Sequence, residues 1–174
     1  MNKRRILVIS GLLFVTFVCF VRAANNSGPI KAGLSQAEQG HVMFTPDQVK
    51  WGPAPPALPP GAQMAVLSGD PTQSGTPFTV RAKMPDGYKV PPHWHPTDEN
   101  VTVLQGTLMM GLGEKLDPSK AHTLKAGSFT RMPKEVRHFA MAKGETVIQV
   151  HGIGPFEVTY VNSSDDPRNK AGQK

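Results

Sequence analysis

Gly87-Tyr88-Lys89-Val90-Pro91-Pro92-His93-Trp94-His95-Pro96-Thr97-Asp98-Glu99 is the stretch on which the reading of this chain turns. Successive side chains of a strand alternate faces, so His93 and His95 point one way and Trp94 the other. Pro96-Thr97-Asp98 is turn chemistry, after which Glu99 can start the next antiparallel strand. A tight reversal there brings its carboxylate back toward both imidazoles. Two nitrogens and one oxygen then share one face, a facial cap for a metal with open positions opposite. A lone histidine is usually a surface residue, but a pair at strand spacing followed by a turn and a carboxylate is much less often accidental. A fourth ligand has to come from another strand. The candidate is His138, in the strand-like run Arg137-His138-Phe139-Ala140-Met141 that follows the frame of Gly127 and Pro133.

On both sides of this stretch the chain consists of short apolar runs broken by turn residues. Ala65 to Leu67, Phe78 to Val80, Tyr88 to Val90, Val101 to Leu104, Thr107 to Met110, Phe129 to Met132, Thr146 to Val150 and Glu157 to Val161 read as strands. Ser68-Gly69-Asp70-Pro71, Pro85-Asp86-Gly87, Gln105-Gly106, Gly111-Leu112-Gly113, Lys143-Gly144 and Gly152-Ile153-Gly154-Pro155 are among the turns between them. This spacing, without a long amphipathic helix, predicts an all-β antiparallel sandwich or barrel. Phe129, Met132, Phe139 and Met141 are expected in its core.

The same residues resemble the motifs of the cupin superfamily. Gly87, five residues, His93-x-His95, three residues, Glu99, six residues and Gly106 match the first cupin motif throughout. Gly127, five residues, Pro133 and then His138 resemble the second motif, with two departures. Glu135 stands where the family has glycine and Ala142 where it has asparagine, which bears on the turn geometry, while the histidine keeps its offset. The resemblance covers residues 88–142 by motif and 62–161 by strand pattern. It implies a small jelly-roll barrel of the single-domain cupin type, with one divalent metal inside held by His93, His95, Glu99 and His138. Two octahedral positions would remain for water, dioxygen or a chelating substrate. Cupins often pair edge to edge, so a homodimer is the family-level expectation.

Residues 62–161 are thus read as the barrel. Before them, Trp51 to Gly61 holds five prolines in eleven residues. Such a run forbids a helix and a central strand alike, and it reads as an extended arm strapping Trp51 to the barrel rather than as a ligand for a recognition module. Asn25 to about Gly40 is a polar lead-in, so 24–61 forms an N-terminal Pro-rich arm. Met1 to Arg5 is basic, Ile6 to Phe20 is almost wholly apolar and Val21-Arg22-Ala23 ends in a small residue, the layout of a signal peptide cleaved after Ala23. The apolar run falls short of the ~20 residues of a spanning helix, so no stable membrane anchor is expected after cleavage. The protein is expected to be exported, to the periplasm or the medium. Residues 162–174 read as a polar tail that frays.

The chain carries 19 Lys and Arg against 13 Asp and Glu. Lys3, Arg4, Arg5 and Arg22 lie in the leader, so cleavage leaves 15 basic residues against 13 acidic and no stripe for nucleic acid. The one cysteine, Cys19, leaves with it, which excludes the cysteine-rich zinc classes. Nitrogen and oxygen ligands suit manganese, zinc, iron, nickel or copper, and selectivity rests on geometry and supply. An oxidising compartment, where iron(II) is hard to keep, weights the choice toward manganese or zinc. Of the other histidines, His41 reads as solvated and His122 as a loop residue. His151 shares its parity with Gln149; if that face is inward, the two are candidates to hydrogen-bond a metal-bound water. Three functions fit. One is an oxygenase, isomerase or lyase acting on a small oxygenated molecule, and another is a non-catalytic barrel that binds or senses a small ligand. A metal that only stabilises the fold ranks last, because structural sites tend to be closed. Glu114, Asp117, Glu145 and Glu157 offer no persuasive catalytic base, so enzymatic activity is left open.

Overall fold

The computed structural model describes residues 40–170; the expected leader, the first part of the expected arm and the end of the tail lie outside the described residues. Alternating apolar side chains and turn residues yield nine strands among them: β1 (Gly52–Pro53), β2 (Gln63–Ser68), β3 (Pro77–Met84), β4 (Lys89–Trp94), β5 (Glu99–Leu112), β6 (His122–Lys125), β7 (Phe129–Met132), β8 (His138–Ile153) and β9 (Thr159–Tyr160). All pairings are antiparallel. Two long strands, β5 and β8, pair along most of their length and belong to both halves of the structure. One half runs β1-β2-β3, then the end of β8, the start of β5, and β7. The other runs β9-β4, then the start of β8, the end of β5, and β6. The result is an antiparallel jelly roll with an extended N-terminal arm.

The strands differ from the sequence reading at the two glycines where the halves meet. Gln105-Gly106 and Lys143-Gly144 read as turns, yet β5 and β8 run through them. Gly106 and Gly144 have φ of 74° and 72°, and the register between β5 and β8 slips there. These are bulges, which bend both strands from one sheet into the other without ending them. The Thr146 hydroxyl stitches the corner, donating to the Thr107 carbonyl at 3.0 Å and accepting from its N–H at 3.2 Å. His122, read as a loop residue, opens β6 but stays exposed, and Phe129, expected in the core, is 58% exposed on β7. The run Glu157 to Val161 shortens to the two residues of β9.

Inward positions repeat every second residue: Phe78, Val80, Ala82 and Met84 on β3, Val101 and Val103 then Leu108 and Met110 on β5, and Ile148 and Val150 on β8. β1 is an edge strand, the place where Pro53 can lack an N–H without breaking a ladder. From it the arm crosses the core, packing Ala54, Ala57 and Leu58 against it. Tyr88 donates its hydroxyl to the Pro59 carbonyl at 2.5 Å, and Tyr160 to the Ala57 carbonyl at 2.8 Å. The Lys83 ammonium lies 4.6 Å over the Trp51 ring. After β9 a 3-10 turn and the single helical turn Pro167–Lys170 fold back, with Arg168 donating to the Val158 carbonyl. Among the described residues no helix is long and apolar enough to cross a membrane.

Candidate metal centre

β4 delivers His93 inward, where it pairs across the ladder with His138 of β8, the ring centroids 4.3 Å apart. His95 lies just beyond the end of β4, its ring edge-on to His93 with centroids 5.0 Å apart. The chain then crosses at Pro96-Thr97-Asp98 into the β7 side of the molecule, and Glu99 opens β5 there. β4 and β5 are not ladder neighbours among the described residues, so the carboxylate arrives from the adjoining sheet and not from a hairpin. Asp98 pins this crossing, accepting from Arg131 and from the Lys134 N–H. Glu99 Oε2 ends 3.3 Å from His138 Nε2 and 3.7 Å from His95 Nε2. All four side chains are buried.

The outer ring nitrogens decide what the inner ones can do. His93 Nδ1 lies 2.7 Å from the Pro91 carbonyl, His95 Nδ1 2.6 Å from that of Glu157, and His138 Nδ1 2.9 Å from that of Val136. A carbonyl only accepts, so each Nδ1 carries the hydrogen and each neutral ring turns an Nε2 lone pair inward. His95 Nε2, His138 Nε2 and Glu99 Oε2 are buried without a hydrogen-bond partner. Leaving such groups unpaired costs about 1–3 kcal/mol each. The three histidines offer ligand atoms within 4.8 Å of one another. Three imidazole nitrogens, with backbone carbonyls behind them fixing the tautomer, could hold a divalent transition metal.

The family model described as a domain of unknown function, DUF4437, matches residues 37–159. Among solved structures, the polyketide cyclase RemF from Streptomyces resistomycificus is 17% identical with a TM-score of 0.54, over 74% of this chain and 91% of that one. KdgF from a Halomonas species is 20% identical with a TM-score of 0.50, over 66% and 94%. An RmlC-like cupin from Shewanella frigidimarina is 15% identical with a TM-score of 0.50, over 65% and 89%. The chain belongs to the DUF4437 family and has a cupin fold. No curated protein matches its sequence.

The electrostatics of this centre follow from burial and crowding. Burial, helped by repulsion from the other two imidazoles, holds His93 down at about 3. Burial lowers His95 as well, against the pull of Glu99. Burial works against the Glu99 carboxylate too, but the three imidazoles, His138 in closest approach, outweigh it and hold its carboxyl at about 2. His138 is also pushed down by burial, yet its contact with Glu99 wins and raises it. We take Glu99 as ionised and His93 and His95 as neutral; without a metal, a proton is best placed between His138 and Glu99.

The second-motif turn keeps its shape although its glycine is missing. Glu135 takes the left-handed conformation itself, at φ 63°, and its N–H donates to the His95 carbonyl at 2.8 Å. The departure from the family pattern therefore leaves His138 in place, at a cost in backbone strain. His151 and Gln149 do not join the centre. Ile148 and Val150 take the inward positions of β8, so both residues face outward: His151 is exposed and Gln149 accepts from Arg81. The sequence reading missed Phe156, whose ring stacks on His95 at 4.4 Å, and the three carbonyls that fix the tautomers. Backbone carbonyls leave no mark in a sequence, and Phe156 sits in a loop without periodicity. The four polar side chains line a cavity of about 510 Å³ whose remaining wall is largely aliphatic and methionine.

Proposed function

We propose that this cupin holds one divalent transition metal on His93, His95, Glu99 and His138 and presents it to a small oxygen-bearing molecule. The carrying observation is the convergence of unpaired Nε2 and Oε2 atoms in a buried site, each imidazole already tied through Nδ1 to a carbonyl. Such a metal supplies a Lewis acid that polarises the oxygens it holds. The chain's own groups do the rest. The Pro91, Glu157 and Val136 carbonyls orient the rings, Glu99 supplies one negative charge, Phe156 holds His95 in plane, and the apolar wall keeps bulk water away. The ligand set suits manganese, zinc, iron, nickel or copper alike, and the oxidising surroundings of an exported protein, where iron(II) is hard to keep, weight the choice toward manganese or zinc. Export through the leader Met1–Ala23, releasing a chain from Ala24, belongs to the same reading and rests on the layout of that segment.

A fold hosts many chemistries, so the reaction of RemF is not carried over. One observation favours a second reading, a non-catalytic barrel that binds or senses its ligand. Besides the four ligating groups, the ionisable residues lining the cavity are Tyr88, Glu157 and Arg168. Tyr88 donates a hydrogen bond from its hydroxyl to the Pro59 carbonyl, and burial pushes that hydroxyl up to about 12, while Glu157 and Arg168 are exposed. Elemental analysis of protein expressed from the full chain and purified without chelator tests the metal: one transition metal per chain is expected. No metal, and no uptake of manganese, zinc or iron, would sink the proposal. Turnover of an added oxygenated compound by the loaded protein, against its unchanged recovery, separates enzyme from binding barrel.

A further inference from the structure

The cavity that begins at the four ligating groups continues as an apolar chamber. Its wall is built from inward positions of four strands: Met64 of β2, Met84 of β3, Leu108 and Met110 of β5, Ile148 and Val150 of β8. At about 510 Å³ the space falls within the range of small-molecule pockets and exceeds what a two-carbon acid or a water cluster needs. Three methionines give the wall a flexible, polarisable surface that adapts to an irregular body.

Charge limits the other end of the ligand. A divalent metal with one ionised carboxylate and three neutral imidazoles carries a net charge of about +1, and an unbalanced charge is costly in an apolar enclosure. A single negative charge shared by two adjacent oxygens neutralises the site and fills two open positions. Among the described residues that line the cavity, a second negative charge would find no free cation beside it. Arg168, the basic residue on the cavity lining, is already held by both oxygens of Asp166 and by the Val158 carbonyl.

Resting on the metal reading above, we infer that the natural ligand is a monoanionic oxygen chelator borne on an extended apolar body, the metal centre taking the head and the methionine-lined chamber the body. Straight-chain hydroxamic acids, from acetohydroxamic to octanohydroxamic acid, probe this with a constant chelating head and a growing body. Metal content is measured first, then affinity by calorimetry on the loaded protein. Each added methylene should tighten binding about fourfold, from ~0.8 kcal/mol per buried CH₂, so the series should span at least a hundredfold. Equal affinities along the series would overturn the apolar-body half. Oxalate binding more tightly than octanohydroxamate would overturn the monoanion. One metal per chain with no binding of any hydroxamate would overturn the chelation and leave the metal centre standing, whereas failure to load metal would remove both.

Discussion

His95 and Glu99 meet in space because β4 ends and β5 begins at the same point, and His95 is tied from behind by the Glu157 carbonyl. Replacing either with alanine removes a ligand and leaves its partners buried and unpaired, so the expected result is loss of stoichiometric metal. His41→Ala, altering an exposed residue of the arm, should keep the full complement. Elemental analysis of the three variants checks this, and a full metal load in either site variant would refute the ligand set. Glu135 invites a change in the opposite direction. A left-handed conformation costs a residue with a Cβ roughly 1–2 kcal/mol, part of which glycine gives back as unfolded-chain entropy. Glu135→Gly should therefore stabilise the protein by about 0.5–1 kcal/mol in a denaturant titration. At this scale the sequence was informative about which polar side chains converge in the core and misleading about His151. The alternation of β8 was visible, but its phase was not: only the packing of Ile148 and Val150 against the core decides which parity faces in.

The elements were legible as apolar runs and illegible in their extent. Val101 to Leu104 and Thr107 to Met110 look like two strands because Gln105-Gly106 carries turn chemistry, yet they form one bent strand. The glycine is needed for the bend. Its φ is positive, and a Cβ there would fall on the Glu145 carbonyl and within 2.8 Å of the Thr146 hydroxyl. Gly106→Ala should accordingly cost about 2–4 kcal/mol, by strain and by displacement of the β8 corner; an unchanged denaturation midpoint would show that the corner yields freely. The arm is held by hydroxyl bonds from Tyr88 and Tyr160 as well as by its apolar contacts. Tyr160→Phe should lose about 1 kcal/mol and speed amide exchange at Leu58, whose N–H closes the turn to Pro55. The prolines made an extended path legible, but not the two tyrosines, far along the chain, that receive it.

For the whole molecule, a metal bound at this centre and the proton would compete for the same atoms. Saturating metal at about a thousand times its dissociation constant would stabilise the fold by roughly 4 kcal/mol, so a chelator should lower the thermal midpoint by several degrees or more. The metal-free protein should also lose stability on acidification. His93 is held at about 3 when folded, against 6.5 as its ordinary value. Between those values the unfolded chain binds a proton that the folded chain excludes, so stability falls as pH drops below about 6.5, by ~1.4 kcal/mol per pH unit for this group. His95 acts in the same sense. Glu99, held at about 2 against 4.5, adds a further loss below about pH 4.5. His138 is raised and opposes them, its stabilisation present at low pH and lost as pH rises through its folded value. The expected balance is a falling melting temperature from pH 7 to pH 4, and a flat or rising one would contradict the neutral assignment of His93 and His95.

The sequence alone determined the class of structure and the kind of donors available. Period-two apolar runs admit a sheet and no helical bundle, and the candidate ligands His93, His95, Glu99 and His138 offer a metal only nitrogen and oxygen. Tertiary structure decided which faces look inward, where β5 and β8 bend, and which carbonyls set the imidazole tautomers. Those properties depend on pairing between segments tens of residues apart. Local chemistry limits such pairing without specifying it.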